Sequence, residues 1–476
     1  MKHIVKNQLL LYAMLLVATT VFAQLSERAP DVLPGTLPEM REPSYWIARM
    51  ENPDDIILTV EQIEQRNESF KAKMYEPDPF KNLAEERKSQ LLHYFPGLMW
   101  RVPDFRNLKP EAVSDSVRER IEIEIDYIKK GEFGNSNGVK YSEREINELF
   151  EEMALDMLKP AITVRDGIAV RTTHLKNVPA FAPEFIGLVK QKDRTQFDQW
   201  NFGILKIGKP VCVLHPSRSG EFVFVSCEVG MGWVRSEDVA FAERNEIEAF
   251  IHAKDFMVCT GDRVQFYSDK SSTYASGWFR MGDRLPQVSV NDRRRVKVPV
   301  RKMNGDFATE TAWLAVDADV SVGFLPYTRC NIVETAFKLI DNAYDFTGTF
   351  FGRQHESTYR DIFACFGFDL PHFGSLFTHY GDNEFVLHPE IGREEQYRKI
   401  LEFVPFVTLM TTLQDRGGHC QLLLGEYNGV PIVFDQHGYG YTDENGNELI
   451  IRRCCVDDIA MPAYFLQRKI TFLELK

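Results

Sequence analysis

The chain has 476 residues, 44% of them hydrophobic and 12% aromatic, which is enough apolar material for two to four packed domains and too much for a disordered chain. Its formal net charge of −13 argues against nucleic acid or an anionic membrane surface as the main partner. Eight cysteines are scattered without C-x-x-C spacing and several sit inside apolar runs, so they read as small buried core residues and not as a zinc site.

Lys2, His3 and Lys6 precede an apolar run from Leu9 to Val21, and Val21-Phe22-Ala23 puts small residues before Gln24. This predicts a signal peptide over 1–23 and a chain exported to the periplasm or the extracellular space. No other run approaches the roughly 18 apolar residues of a membrane helix, so stable membrane insertion is not expected. Residues 24 to about 42, with Pro30, Pro34 and Pro38, read as a linker. Helical signals then dominate to about Leu158, making 24–160 an N-terminal helical region. Thr59 caps a run to Phe70, and Ser114–Lys130 carries the stripe Val117, Ile121, Ile125 and Ile128. Ser142 with Glu145 forms a capping box before a further helix.

From about Ala161 short strands replace helices: Gly167–Arg171, Pro210–His215, Phe222–Cys227 and Gly232–Val234. This block, 161–245, resembles a bacterial SH3-like barrel, with a long loop over 172–206. A second strand-rich block, 246–330, holds Asp262–Tyr267, Gly282–Pro286, the basic run Arg293–Pro299 and Val322–Thr328, and resembles a second such barrel. The basic run reads as a solvated hairpin face.

The last block, 331–476, opens with a helix bearing Val333, Phe337 and Ile340 on one side. It contains the stretch YDFTGTFFGRQHESTYRDIFACFGFDLP, Tyr344 to Pro371. An aromatic and glycine entrance leads into a helix from His355 to about Phe366, with Thr358, Ile362, Cys365 and Phe366 on one face and Gly367 as its stop. This stretch resembles the NlpC/P60 cell-wall peptidases, papain-like enzymes that cut peptidoglycan stem peptides. Tyr344–Gly348 corresponds to their Y-x-W-G-G entrance, and Arg360–Pro371 to the helix that ends F-G-I-x-L-P-R. The family places its catalytic cysteine twelve residues before the glycine that corresponds to Gly367. Here that residue is His355, between Gln354 and Glu356.

The second matching segment is Gly417–Gly425, in which His419 stands where the family has its general base. Asn428-Gly429 predicts a hairpin, and the return strand Pro431–Phe434 reaches Asp435. A strict two-residue hairpin pairs Leu422 with Asp435 and turns Asp435 away from His419, whereas a bulge restores a shared face. The third polar member is therefore open between Asp435 and His437, with Asp435 favoured.

Papain-like chemistry needs a thiolate at the positive end of a helix. The same dipole disfavours a protonated imidazole at His355. The resemblance thus implies a centre that has lost its nucleophile, with Tyr344, Phe346, Gln354, Glu356 and His437 lining a surviving groove. Cys420, Cys365, Ser357 and Thr358 are the available substitute nucleophiles. A metal held among His355, Glu356, His419, Asp435 and His437 is the other rescue, although no local H-x-x-x-H spacing supports it, and neither metal nor cofactor is expected. The overall expectation is an α+β multidomain protein: helical region, two SH3-like barrels and a C-terminal papain-like domain, an arrangement similar to that of the family's dipeptidyl-peptidase members. It would bind peptidoglycan stem peptides, muropeptides or a partner without cutting. The alternative is an active γ-D-glutamyl-L-diamino acid endopeptidase or amidase with a non-standard nucleophile or a metal.

Overall fold

The computed structural model describes residues 28–74, 105–131, 133–135, 139–181, 184–186, 198, 200–290, 292–372, 374, 377–381, 385–412, 419–438, 440–443, 445–461 and 465–476. The expected signal peptide at 1–23, and Gly417 and Gly418, lie outside the described residues. Among those described, no helix is long and apolar enough to cross a membrane.

The helices start where side chains satisfy their free N–H groups. Ser142 accepts from the Glu145 N–H, and the Glu145 carboxylate accepts from the Ser142 N–H at 2.8 Å. Helix Pro110–Lys130 begins with proline in its first turn, four residues before Ser114. Its stripe (Val117, Ile121, Ile128) is buried against Trp200, Phe222 and Trp233 of the first barrel. Residues 28–74 go elsewhere: Met40, Trp46, Ile63 and Phe70 share a core with Tyr327, Phe366 and Phe406 of the C-terminal domain. The helical region is thus two pieces that cover different bodies.

The described part of the proline-rich stretch is a packed strap and not a free linker. The Ala29 N–H donates to the Ile450 carbonyl at 2.8 Å, and Arg453 donates to the carbonyls of Ala29 at 3.3 Å and Pro30 at 2.5 Å. Arg41 donates to Asp341 at 2.6 Å, while Leu33 and Met40 are buried. Prolines fix φ along such a strap at little entropic cost, Pro38 opening a 3-10 turn to Arg41, and its apolar residues supply the docking energy.

A seven-stranded antiparallel sheet spans Arg165–Phe241, with Gly230–Arg235 beside Phe222–Cys227 near its centre. The block that follows forms two smaller sheets. Phe256–Cys259 sits between Arg284–Pro286 and Val320–Val322, and Arg263–Tyr267 pairs with Ala275–Arg280 and Phe307–Leu314. The basic run is spent on hairpin geometry: Arg294 donates to the Leu314 carbonyl at 3.1 Å, and Arg295 pairs with Asp292.

In the C-terminal domain, helix α1 (Arg329–Phe337) is capped by Thr328, whose hydroxyl accepts from the Asn331 N–H at 3.1 Å. It ends at Phe337, so Ile340 packs from the following turn and not from the helix. Helix α2 (His355–Ala364) precedes a sheet of strands β1 (Phe385–Leu387), β2 (Thr408–Thr412), β3 (Cys420–Tyr427), β4 (Val430–Gln436), β5 (Cys454–Asp458) and β6 (Ile470–Glu474). Their order is β1-β6-β2-β3-β4-β5, antiparallel throughout. Ile362 and Phe363 of α2 pack in one core with Cys420, Leu422 and Phe434 of the sheet. The Tyr359 hydroxyl donates to the Phe434 carbonyl at 2.7 Å. Gly367, at φ +97°, stops the chain just past α2 in a conformation other residues resist. The opposite sheet face buries Met410, Leu423 and Val433 against Phe465 and Ile400.

Candidate functional site

The register of β3 and β4 decides which polar side chains meet. Asn428 and Gly429 both have positive φ, +52° and +77°, as a tight hairpin turn requires. Between Leu423 and Gly425 the pairing shifts by one residue, so Gln421 and not Leu422 stands opposite Asp435. This bulge turns Asp435 onto the face of His419. His419 Nε2 lies 2.7 Å from Asp435 Oδ2, and the Gln421 side-chain amide donates to the same oxygen at 3.0 Å. The His437 ring lies farther off, its centroid 6.0 Å from that of His419.

His355 is the first residue of α2, and its ring centroid is 4.1 Å from that of His419. Tyr344 flanks it at 5.2 Å, passing over Gly438, where a Cβ would come within 2.8 Å of the Tyr344 ring. The His355 side chain is buried and its Nδ1 has no hydrogen-bond partner. Burial, and then the neighbouring His419, hold this imidazole well below its ordinary basicity. His419 is pulled down to about 3, chiefly by burial and secondarily by the charge of Arg468. Asp435 is shifted upward by burial. At the centre two imidazoles of lowered basicity thus meet at a tilt of 46°, where the resemblance would place a thiol.

The substitute nucleophiles are committed elsewhere. Cys420 is buried on the opposite face of β3, accepts from the Thr411 hydroxyl at 3.5 Å, and has its thiol raised well above the usual range by burial. Burial pushes the Cys365 thiol up to about 12. Ser357 and Thr358 donate to the Gln354 carbonyl at 3.1 and 3.0 Å, and the Gln354 N–H donates to the Ser357 hydroxyl at 2.9 Å. Those hydroxyls build the start of α2.

Tyr344 and Phe346 are half-buried at the entrance, and the Gln354 side-chain carbonyl accepts from the Thr347 N–H at 3.1 Å. Glu356 keeps part of its side chain open to solvent, yet burial of its carboxyl raises it to about 7 against the opposing pull of the Gly374 backbone. One wall comes from residues that sequence reading did not single out. His174 of the first barrel stacks on Phe351 with centroids 4.1 Å apart, and its Nε2 lies 3.1 Å from the Gly348 carbonyl. Asn201 donates to the Thr347 carbonyl at 2.8 Å, and the Asp198 N–H donates to the Thr349 hydroxyl at 2.8 Å. These bonds hold Thr347 and Phe351 at φ +58° and +59°, a strained conformation for residues with a Cβ. The one sequence signal for this wall was the 172–206 stretch, expected as a long loop, but His174 and Asn201 stand on sheet strands within it, Thr173–Lys176 and Asn201–Leu205.

Comparison with known proteins agrees with this architecture. Residues 183–235 match the model of an SH3 domain of SH3b1 type. A solved NlpC/P60 endopeptidase from Photobacterium damselae subsp. piscicida is similar over 94% of this chain and 99% of its own, at 16% identity and a TM-score of 0.68. An NlpC/P60 family protein from Bacillus cereus is similar over 64% of this chain and 98% of its own, at 13% identity and a TM-score of 0.43. Among curated proteins none matches the sequence. The chain has the α+β fold of the Photobacterium endopeptidase and carries an SH3 domain.

Proposed function

We propose that this chain is an exported member of the NlpC/P60 peptidases whose centre binds peptidoglycan stem peptides without cutting them. The observation that carries the reading is His355: an imidazole begins α2, 4.1 Å ring to ring from His419, where a papain-like reaction needs a thiolate. His419 retains Asp435 as its partner, so the base and its orienting carboxylate are in place with nothing to activate. The nearest thiol in sequence, Cys420, faces away from that pair. The groove survives through Tyr344, Phe346, Gln354 and Glu356, closed on one side by the first barrel.

Isothermal titration of the mature chain with L-Ala-γ-D-Glu-diamino acid peptides tests the binding half of this reading. Saturable heat at a single site, weakened by Tyr344→Ala, is the expected result. Absence of heat at millimolar peptide overturns it in favour of a module that only contacts another protein.

A further inference from the structure

The polar groups of the altered centre are arranged as a ligand set. One side-chain nitrogen or oxygen from each of His355, His419 and Asp435 lies within 4.8 Å of the others, and all three residues are buried, 6%, 2% and 0% exposed. Two of their atoms, His355 Nδ1 and Asp435 Oδ1, are enclosed without any hydrogen-bond partner. Buried polar atoms are satisfied in the great majority of folded proteins, so two orphans within one group of neighbouring residues call for an occupant. Charge points the same way. Asp457 on β5 is also fully buried, and its Oδ1 has no partner. Among the described residues no lysine or arginine forms an ion pair with Asp435 or Asp457. An enclosed carboxylate without a cation is costly unless it is protonated or bound to a metal ion, and of these two only Asp435 also meets both His355 and His419.

We propose that His355, His419 and Asp435 form a three-ligand site for zinc, with a fourth position left open. Two imidazoles and one carboxylate suit a borderline-soft divalent ion that prefers tetrahedral geometry. The hydrogen-bonded pair His419 Nε2 and Asp435 Oδ2, 2.7 Å apart, needs only to open to roughly 3.3 Å, the tetrahedral edge for bonds near 2.0–2.1 Å. His419 then binds as its Nδ1–H tautomer, the proton leaving Nε2 for Nδ1, so its charge is unchanged. Gln421 stays on the carboxylate, an outer contact of the kind that fixes ligand orientation in metal sites. With the ion seated, His419 is a ligand and no longer a base. The inference stands on this geometry and not on peptide binding.

The test strips the purified chain with chelator, dialyses it, and titrates it with zinc and with cobalt(II), with elemental analysis of the zinc-loaded protein. About one zinc per chain and the visible bands of tetrahedral cobalt without thiolate charge transfer are expected. His355→Ala and His419→Ala should bind at least about tenfold more weakly, with folding checked by circular dichroism, while Asp457→Asn binds as the parent does. Three results overturn the proposal: no stoichiometric binding, a thiolate charge-transfer band that assigns the ion to cysteine, or loss of binding in Asp457→Asn with His355→Ala unaffected. The cobalt spectrum of the parent chain decides the matter even where a variant fails to fold. No peptide enters the assay, so its failure is separable from failure of the stem-peptide reading.

Discussion

A histidine at position 355 changes what the N-terminus of α2 can stabilise, because the helix end favours an anion and the imidazole has none to offer. His355→Cys should therefore install a thiol that iodoacetamide modifies ahead of the native cysteines, most of which are buried. Modification at the rate of an ordinary buried thiol would contradict this. Glu356 gives a pH prediction with a definite sign. Its carboxyl is raised from 4.5 to about 7, so the unfolded chain releases the proton first, and the residue costs stability as pH rises between those values. Glu356→Gln should leave stability at pH 4 unchanged and add about 1–3 kcal/mol at pH 8, read from urea midpoints. The identity of residue 355 was legible in the sequence because the flanking pattern, Tyr344 and Arg360–Pro371, is contiguous. The partner of His419 was only half legible. A one-residue bulge decides between the two faces of β4, and its signal in the sequence is Gly425 inside the strand, which takes φ +148° at the shift.

At the scale of elements, local rules served well where one side chain does the work. Ser142 with Glu145 caps its helix as the spacing implies, and Gly367 ends the run that α2 begins. Gly367→Ala should cost about 1–2 kcal/mol, since φ +97° penalises a Cβ and the added methyl would sit 3.2 Å from the Phe324 ring. Equal thermal midpoints for the two proteins would remove that residue from the account. Local rules misread the proline-rich stretch before residue 42. Prolines signal an extended chain equally well in a linker and in a strap, and only the burial of Leu33 and Met40 against a distant domain distinguishes the two.

Across the molecule, three bodies lock on one carboxylate. Asp361 of α2 accepts from Arg353 at 2.8 Å, pairs with Arg280 of the second strand-rich block, and meets Lys206 of the first at 2.7 Å. The surrounding cations hold it below the usual carboxylate range despite full burial. Asp361→Asn would remove the carboxylate these buried cations share, leaving Arg353 with Asp262 and Lys206 with Asp283, and should destabilise the chain by about 3–5 kcal/mol, with a shared loss of structure in both strand-rich blocks visible by hydrogen exchange. A change under 1 kcal/mol would mean that the bodies dock by apolar packing alone. This interlock was not legible in sequence, because Lys206, Arg280 and Asp361 lie far apart along the chain and are unremarkable singly. The same long-range docking brings His174 and Asn201 to the entrance loop beside the proposed stem-peptide site. The most direct test of that reading is mass spectrometry of an L-Ala-γ-D-Glu-diamino acid peptide recovered after prolonged incubation with the native chain, run beside His355→Cys. The account predicts an intact peptide from the native chain; a cleaved peptide would contradict it.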